Sequence, residues 1–110
     1  MKQYNFGDIV LTAYPLVTGS EGKQRPALVL HDLGDDDLLL ARITSKNHYK
    51  SSYDITVKEW KAAGLLFPSV IRIHKVTTLE KAIMIRTMGK LEKLDQEEVK
   101  KAVKNLWNSI

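Results

Sequence analysis

The chain has 110 residues, 44% of them hydrophobic, and 17 lysines and arginines against 13 carboxylates, for a net charge of +4. A chain of this length builds one compact domain without covalent staples, and the lack of cysteine excludes a disulfide framework, a thiolate metal site and a cysteine nucleophile. No apolar run approaches the roughly 20 residues that span a bilayer, and the opening Met1 to Phe6 lacks the apolar centre of a secretory signal. A cytoplasmic protein with an anionic partner and no membrane association is expected.

Residues 9–14 are rich in β-formers and stop at Pro15, so they predict a strand followed by a polar, glycine-bearing loop over 15–24. Pro26 lacks an amide donor and suits the first residue of a strand, which Ala27 to Leu30 continue as a buried apolar run. Gly34 to Asp37 read as a tight turn. Leu38 to Thr44 form the next strand, alternating through Arg42, Ile43 and Thr44 as it leaves the core. After a polar loop over 46–52 come strands at 53–57, 69–76 and 82–88, with a helical turn at 59–63 ended by Gly64 and the last strand closed by Gly89.

The C-terminal segment predicts a helix capped by Asp95, with Glu98 completing a capping box and Leu94 stapling onto Val99. Val99, Ala102, Val103, Leu106, Trp107 and Ile110 recur at helical spacing and form one apolar stripe that needs a sheet to lie on. Short strands, polar turns and one terminal amphipathic helix predict a single domain over 1–110, mainly β, with strongly bent antiparallel sheets and the helix packed on them.

Two stretches carry the candidate chemistry. In Lys23-Gln24-Arg25-Pro26 a guanidinium sits where a polar loop meets a strand, and in Ala41-Arg42-Ile43-Thr44-Ser45-Lys46 a hydroxyl pair sits at a strand exit. A preorganised cation stabilises the charge that develops on a phosphate, and an adjacent hydroxyl holds an oxygen or relays a proton. A surface ion pair for Arg25 and turn bonding for Thr44 and Ser45 explain the same residues without function. Arg72 and His74, two apart on a strand, share one face and offer a second cation and a titratable imidazole, or are two ordinary exposed polar residues. Lys46, His48, Tyr49 and Lys50 make a basic, aromatic loop of the kind that grips unpaired bases. The histidines at 31, 48 and 74 show no ligand spacing, Asp35 to Asp37 read as a solvated turn, and no metal or other cofactor is expected.

These two stretches, with Phe6-Gly7-Asp8-Ile9-Val10-Leu11 before them and Pro68-Ser69-Val70-Ile71-Arg72 after, resemble the PemK/MazF (Kid-like) toxins of bacterial toxin–antitoxin modules over nearly the whole chain. The resemblance implies an SH3-like small barrel and a metal-independent endoribonuclease that cuts single-stranded RNA to a 2′,3′-cyclic phosphate and a 5′-hydroxyl. It implies a homodimer and a cognate antitoxin as partners. It assigns catalytic roles to Arg25, Thr44 and Arg72, and it has an aspartate where this chain has His74, which makes the imidazole the candidate for proton transfer. Lys23, Ser45, Lys46, His48, Tyr49 and, as a lesser candidate, Asp8 are then expected to contact RNA. Two other readings are a gyrase-poisoning toxin of the related CcdB type, suggested by the ending Trp107 to Ile110, and an SH3-like module that binds RNA or peptide without cutting it.

Overall fold

The computed structural model describes residues 2–13, 23–45 and 51–110. Within them the strands β1 (Asp8–Ala13), β2 (Gln24–Asp32), β3 (Asp37–Thr44), β4 (Asp54–Thr56), β5 (Val70–Glu80) and β6 (Met84–Lys90) form one antiparallel sheet in the order β4-β5-β3-β2-β1-β6. A helix, α1 (Lys93–Asn108), follows. The expected class holds: mostly β, a bent sheet with a C-terminal helix, in a small-barrel arrangement whose sheet is not closed.

Alternation along the strands divides the core between the two faces of the sheet. Ile9, Leu28, Ala41, Ile43, Ile71 and Ile73 point to the face that α1 covers with Val99 and Ala102. Val10, Ala27, Val29, Leu38, Leu40 and Leu79 point to the other face and form a second cluster, with Tyr4, Ile83 and Met84 against it. Pro26 is the third residue of β2 instead of its first. The pairing of β2 with β3 begins only at Ala27, so the missing amide costs no bond on that side.

Several boundaries differ from the sequence reading. β5 runs on to Glu80, a 3-10 turn (Lys81–Ile83) precedes β6, and Gly89 lies inside β6. Gly64 takes φ +91°, and its backbone presses on that of Gly89: a β-carbon on Gly64 would collide with the Met88 carbonyl oxygen, and one on Gly89 with that of Ala63. The loop between β4 and β5 is thereby seated on β6.

Asp95 does not cap α1. The cap position of the helix is Glu92, three residues earlier, which leaves Asp95 inside the first turn and 1% exposed. Its carboxylate accepts the backbone amides of Lys58 and Glu59 at 3.1 and 3.0 Å, so it fixes the helix to the loop after β4. Leu94 is 71% exposed and staples nothing. At the far end the apolar stripe runs past the sheet: Trp107 is 75% exposed and Ile110 94%. No helix among the described residues is long and apolar enough to cross a membrane.

Candidate functional site

Thr12 pairs with Arg25 across β1 and β2, and Ala27 pairs with Arg42 across β2 and β3. Directly paired residues of an antiparallel sheet share a face with their β-carbons about 5 Å apart. Continuing the β2–β3 register by two residues puts Thr44 beside Arg25. Both are half-buried, and both line a cavity of about 280 Å³ together with Gln24, Ser45, Leu66 and Phe67. The Arg-Pro and Thr-Ser stretches, some 20 positions apart in the chain, therefore meet at one end of one sheet face.

The next row of the same face continues the pattern. Arg42 pairs with Arg72 across β3 and β5, and Arg72 pairs with Asp54 across β5 and β4. The Arg72 Nε donates to Asp54 Oδ1 at 3.0 Å, and Asp54 Oδ2 accepts the Ser51 amide at 2.9 Å. Burial by itself would push the Asp54 carboxyl up, but the Ser51 amide and the Arg72 guanidinium outweigh it and hold the carboxyl below its ordinary value. Charged, with both oxygens engaged, Asp54 aims Arg72 and is not placed to accept a proton.

His74 lies where the β3–β5 register slips, since Arg42 faces Arg72 while Ala41 faces Val76. Such a bulge re-aims side chains. The His74 Nε2 stands 3.2 Å from Arg72 Nη2. A guanidinium only donates, so Nε2 accepts and the ring proton sits on Nδ1. That Nδ1 is buried with no partner among the described residues, and the Tyr53 ring lies 5.8 Å away.

Ser45 and Lys23 are exposed next to Thr44 and Gln24. Asp8 is not brought to the site. It opens β1 four residues from Thr12, roughly 13 Å along the strand, and its carboxylate closes a turn by accepting the Asn5 amide at 2.8 Å. Lys46, His48 and Tyr49 lie outside the described residues. The Asp35 to Asp37 run is structural at its start, with Asp35 accepting the Asp37 amide at 2.8 Å. The depression of about 680 Å³ beside it is lined by Asp35, Asp36, Asp37 and Glu80 together with Lys81 and Ala82, so carboxylates predominate there. Among the described residues, no three His, Asp or Glu side chains are grouped to hold a metal ion.

Residues 5–107 match the family of PemK-like, MazF-like toxins of type II toxin–antitoxin systems. The chain belongs to that family. Among solved structures it is similar to Mycobacterium tuberculosis toxin MazF-mt6, with 20% identity, 92% of this chain and 96% of that one covered, and a TM-score of 0.73. It is also similar to a MazE-MazF structure from Deinococcus radiodurans, with 16% identity, 94% of each chain covered and a TM-score of 0.74. A third is a mycobacterial endoribonuclease in complex with its cognate antitoxin, with 12% identity, 96% of each chain covered and a TM-score of 0.76. At these identities the structures share the fold. No curated protein matches the chain in sequence.

Four features of this region were not read from the sequence. Asp54 and Arg42 join the cationic face from strands whose adjacency only the fold reveals. Thr12 faces Arg25 with a fully buried hydroxyl that has no partner among the described residues. Phe67, 63% exposed, stands at the rim of the Arg25–Thr44 cavity. The run Leu65-Leu66-Phe67-Pro68 is apolar throughout, so the sequence alone does not mark which of its side chains is left in water.

Proposed function

We propose that this toxin-family chain is a cytoplasmic endoribonuclease that cuts single-stranded RNA, with Arg25 and Thr44 at its reacting centre. The observation that supports the reading most is that both residues line one cavity, at the end of a sheet face that also carries Arg42 and Arg72. Arg25 clamps the scissile phosphate and stabilises the charge of the transition state, and Thr44 holds a phosphate oxygen or the 2′-hydroxyl. The ribose 2′-oxygen attacks phosphorus, the bond from phosphorus to the 5′-oxygen breaks, and the 5′-oxygen leaves with a proton. The products are a 2′,3′-cyclic phosphate and a 5′-hydroxyl.

Arginine stays protonated and is a poor base. His74, with Nε2 turned to Arg72, serves that guanidinium as an acceptor instead of taking the 2′-proton directly. The proton passes, with the Thr44 hydroxyl as relay, to a phosphate oxygen held by Arg25 and from there to the departing 5′-oxygen. Ser45, Lys23 and the 46–50 segment extend the RNA contact, and Phe67 stacks a base. A cognate antitoxin and a homodimeric assembly are part of the same reading, supported by relatives solved with their antitoxins.

The test is incubation of the purified protein with a long RNA in EDTA, followed by mapping of the ends. Cyclic-phosphate ends are expected, with the rate falling by about 10²- to 10³-fold in Arg25→Ala and Thr44→Ala. Equal cleavage by these variants, or intact RNA, removes the proposal. The exposed Trp107 and Ile110 favour a second reading, in which the C-terminal end docks on gyrase as a CcdB-type toxin would. Growth arrest that leaves cellular RNA intact and is lost in gyrase-mutant cells would select it.

A further inference from the structure

We infer that Arg42, set opposite Arg72, forms a second phosphate-binding station, one nucleotide along the RNA from the phosphate held at the Arg25–Thr44 centre. The inference rests on the RNA reading above and extends it to a residue outside the reacting centre.

Arg42 and Arg72 are direct partners across β3 and β5. Like charges in that relation repel. On its other side Arg42 faces Ala27, which offers no polar group. The carboxylate of this row, Asp54, is taken up by Arg72 and the Ser51 amide. Arg42 is half-buried, and among the described residues it has no ion pair or hydrogen bond. A partly desolvated guanidinium set opposite another one, with no internal counter-charge, is a cost to the fold that an external anion would relieve.

The spacing selects the anion. Arg42 lies two residues from Thr44 on β3, which is about 7 Å along the strand. A sugar–phosphate backbone covers such a step from one phosphate to the next. Arg25, Arg42 and Arg72 stand on three consecutive neighbours in the sheet, β2, β3 and β5, so the cationic face is a track and not a single point. Asp54, from the neighbouring β4, and His74, two residues along β5, both contact the Arg72 guanidinium.

An uncleavable 2′-O-methyl oligonucleotide, titrated against the full chain over a range of salt, tests the station. Arg42→Gln is expected to weaken binding about tenfold and to lower the slope of log K against log salt by about 0.7, the value for one phosphate contact of a single strand. Arg42→Lys, which keeps the charge, should retain most of that slope. In cleavage assays the Arg42→Gln loss should fall mainly on KM. The melting temperature of Arg42→Gln should stay level or rise by a few degrees, because a like-charge pair is removed.

Binding by the parent with an unchanged slope in Arg42→Gln overturns this inference and leaves the RNA reading standing. Absence of oligonucleotide binding by the parent overturns both. A lowered melting temperature would make Arg42 a structural residue, against the inference. Tighter binding of a polyglutamate peptide of equal charge, lost in Arg42→Gln, would assign the station to an acidic protein segment and also overturn it.

Discussion

Phe67 keeps 63% of its surface in water at the rim of the Arg25–Thr44 cavity, and an aromatic face there suits any base that follows the phosphate into the site. Phe67→Ala should weaken RNA binding by about 1–3 kcal/mol, the worth of one stacked base, and melt at nearly the parent temperature. Fluorescence titration with an uncleavable strand, beside a thermal melt, checks both. Arg25 and Thr44 were singled out in the sequence by the family resemblance. Their places at junctions of loop and strand fit an ion pair or turn bonding equally well, and only the sheet register brings the two together. Asp54 was not singled out. Alternation along a strand tells which residues share a face, but the adjacency of β4 and β5 is decided by the tertiary fold. The sequence showed His74 next to Arg72 on one face. It could not show that the imidazole nitrogen turns to the guanidinium, since that depends on the register slip at β3 and β5.

For the elements, α1 was legible as a helix from its apolar spacing, yet its start was misplaced. Asp95 had the residue type of a cap and a glutamate three positions later, but the fold spends its carboxylate on Lys58 and Glu59. A tertiary demand for a buried acceptor outweighed a local capping preference. Asp95→Asn should therefore destabilise the protein by about 1.5–3 kcal/mol, since two charge-assisted bonds to backbone amides weaken together. A urea titration would show the midpoint falling with little change in slope; an unchanged midpoint would return Asp95 to a local role. The stripe of α1 was legible only in part. Its middle, Val99 and Ala102, packs on the sheet, while Trp107 extends beyond it and lines an apolar depression of about 400 Å³ with Phe6 and Leu30.

The whole molecule divides its labour by face: one side of the sheet is closed by α1, and the other passes from an apolar cluster to a row of guanidiniums. Loss of stability in acid is expected from carboxylates tied across distant parts of the chain. Asp32 accepts the Tyr4 and Gly34 amides and pairs with Lys81, which holds its carboxyl at about 2 against an ordinary 3.8. Asp54 is shifted in the same direction. Groups with lowered folded values contribute stability that is complete above about pH 4 and is lost as the pH falls towards 2. Melting temperature should thus drop across that window, and Asp32→Asn should flatten the drop while lowering the plateau at neutral pH. The contact between Gly64 and Gly89 sets a different kind of limit, on how the sequence can diverge. The obstacle to a side chain at either position is the opposite strand of backbone, so no exchange at one glycine makes room for a change at the other. Lineages of this fold that keep the contact must keep both glycines, and one that loses either has to rebuild the loop carrying Leu66 and Phe67, and with it the wall of the cavity.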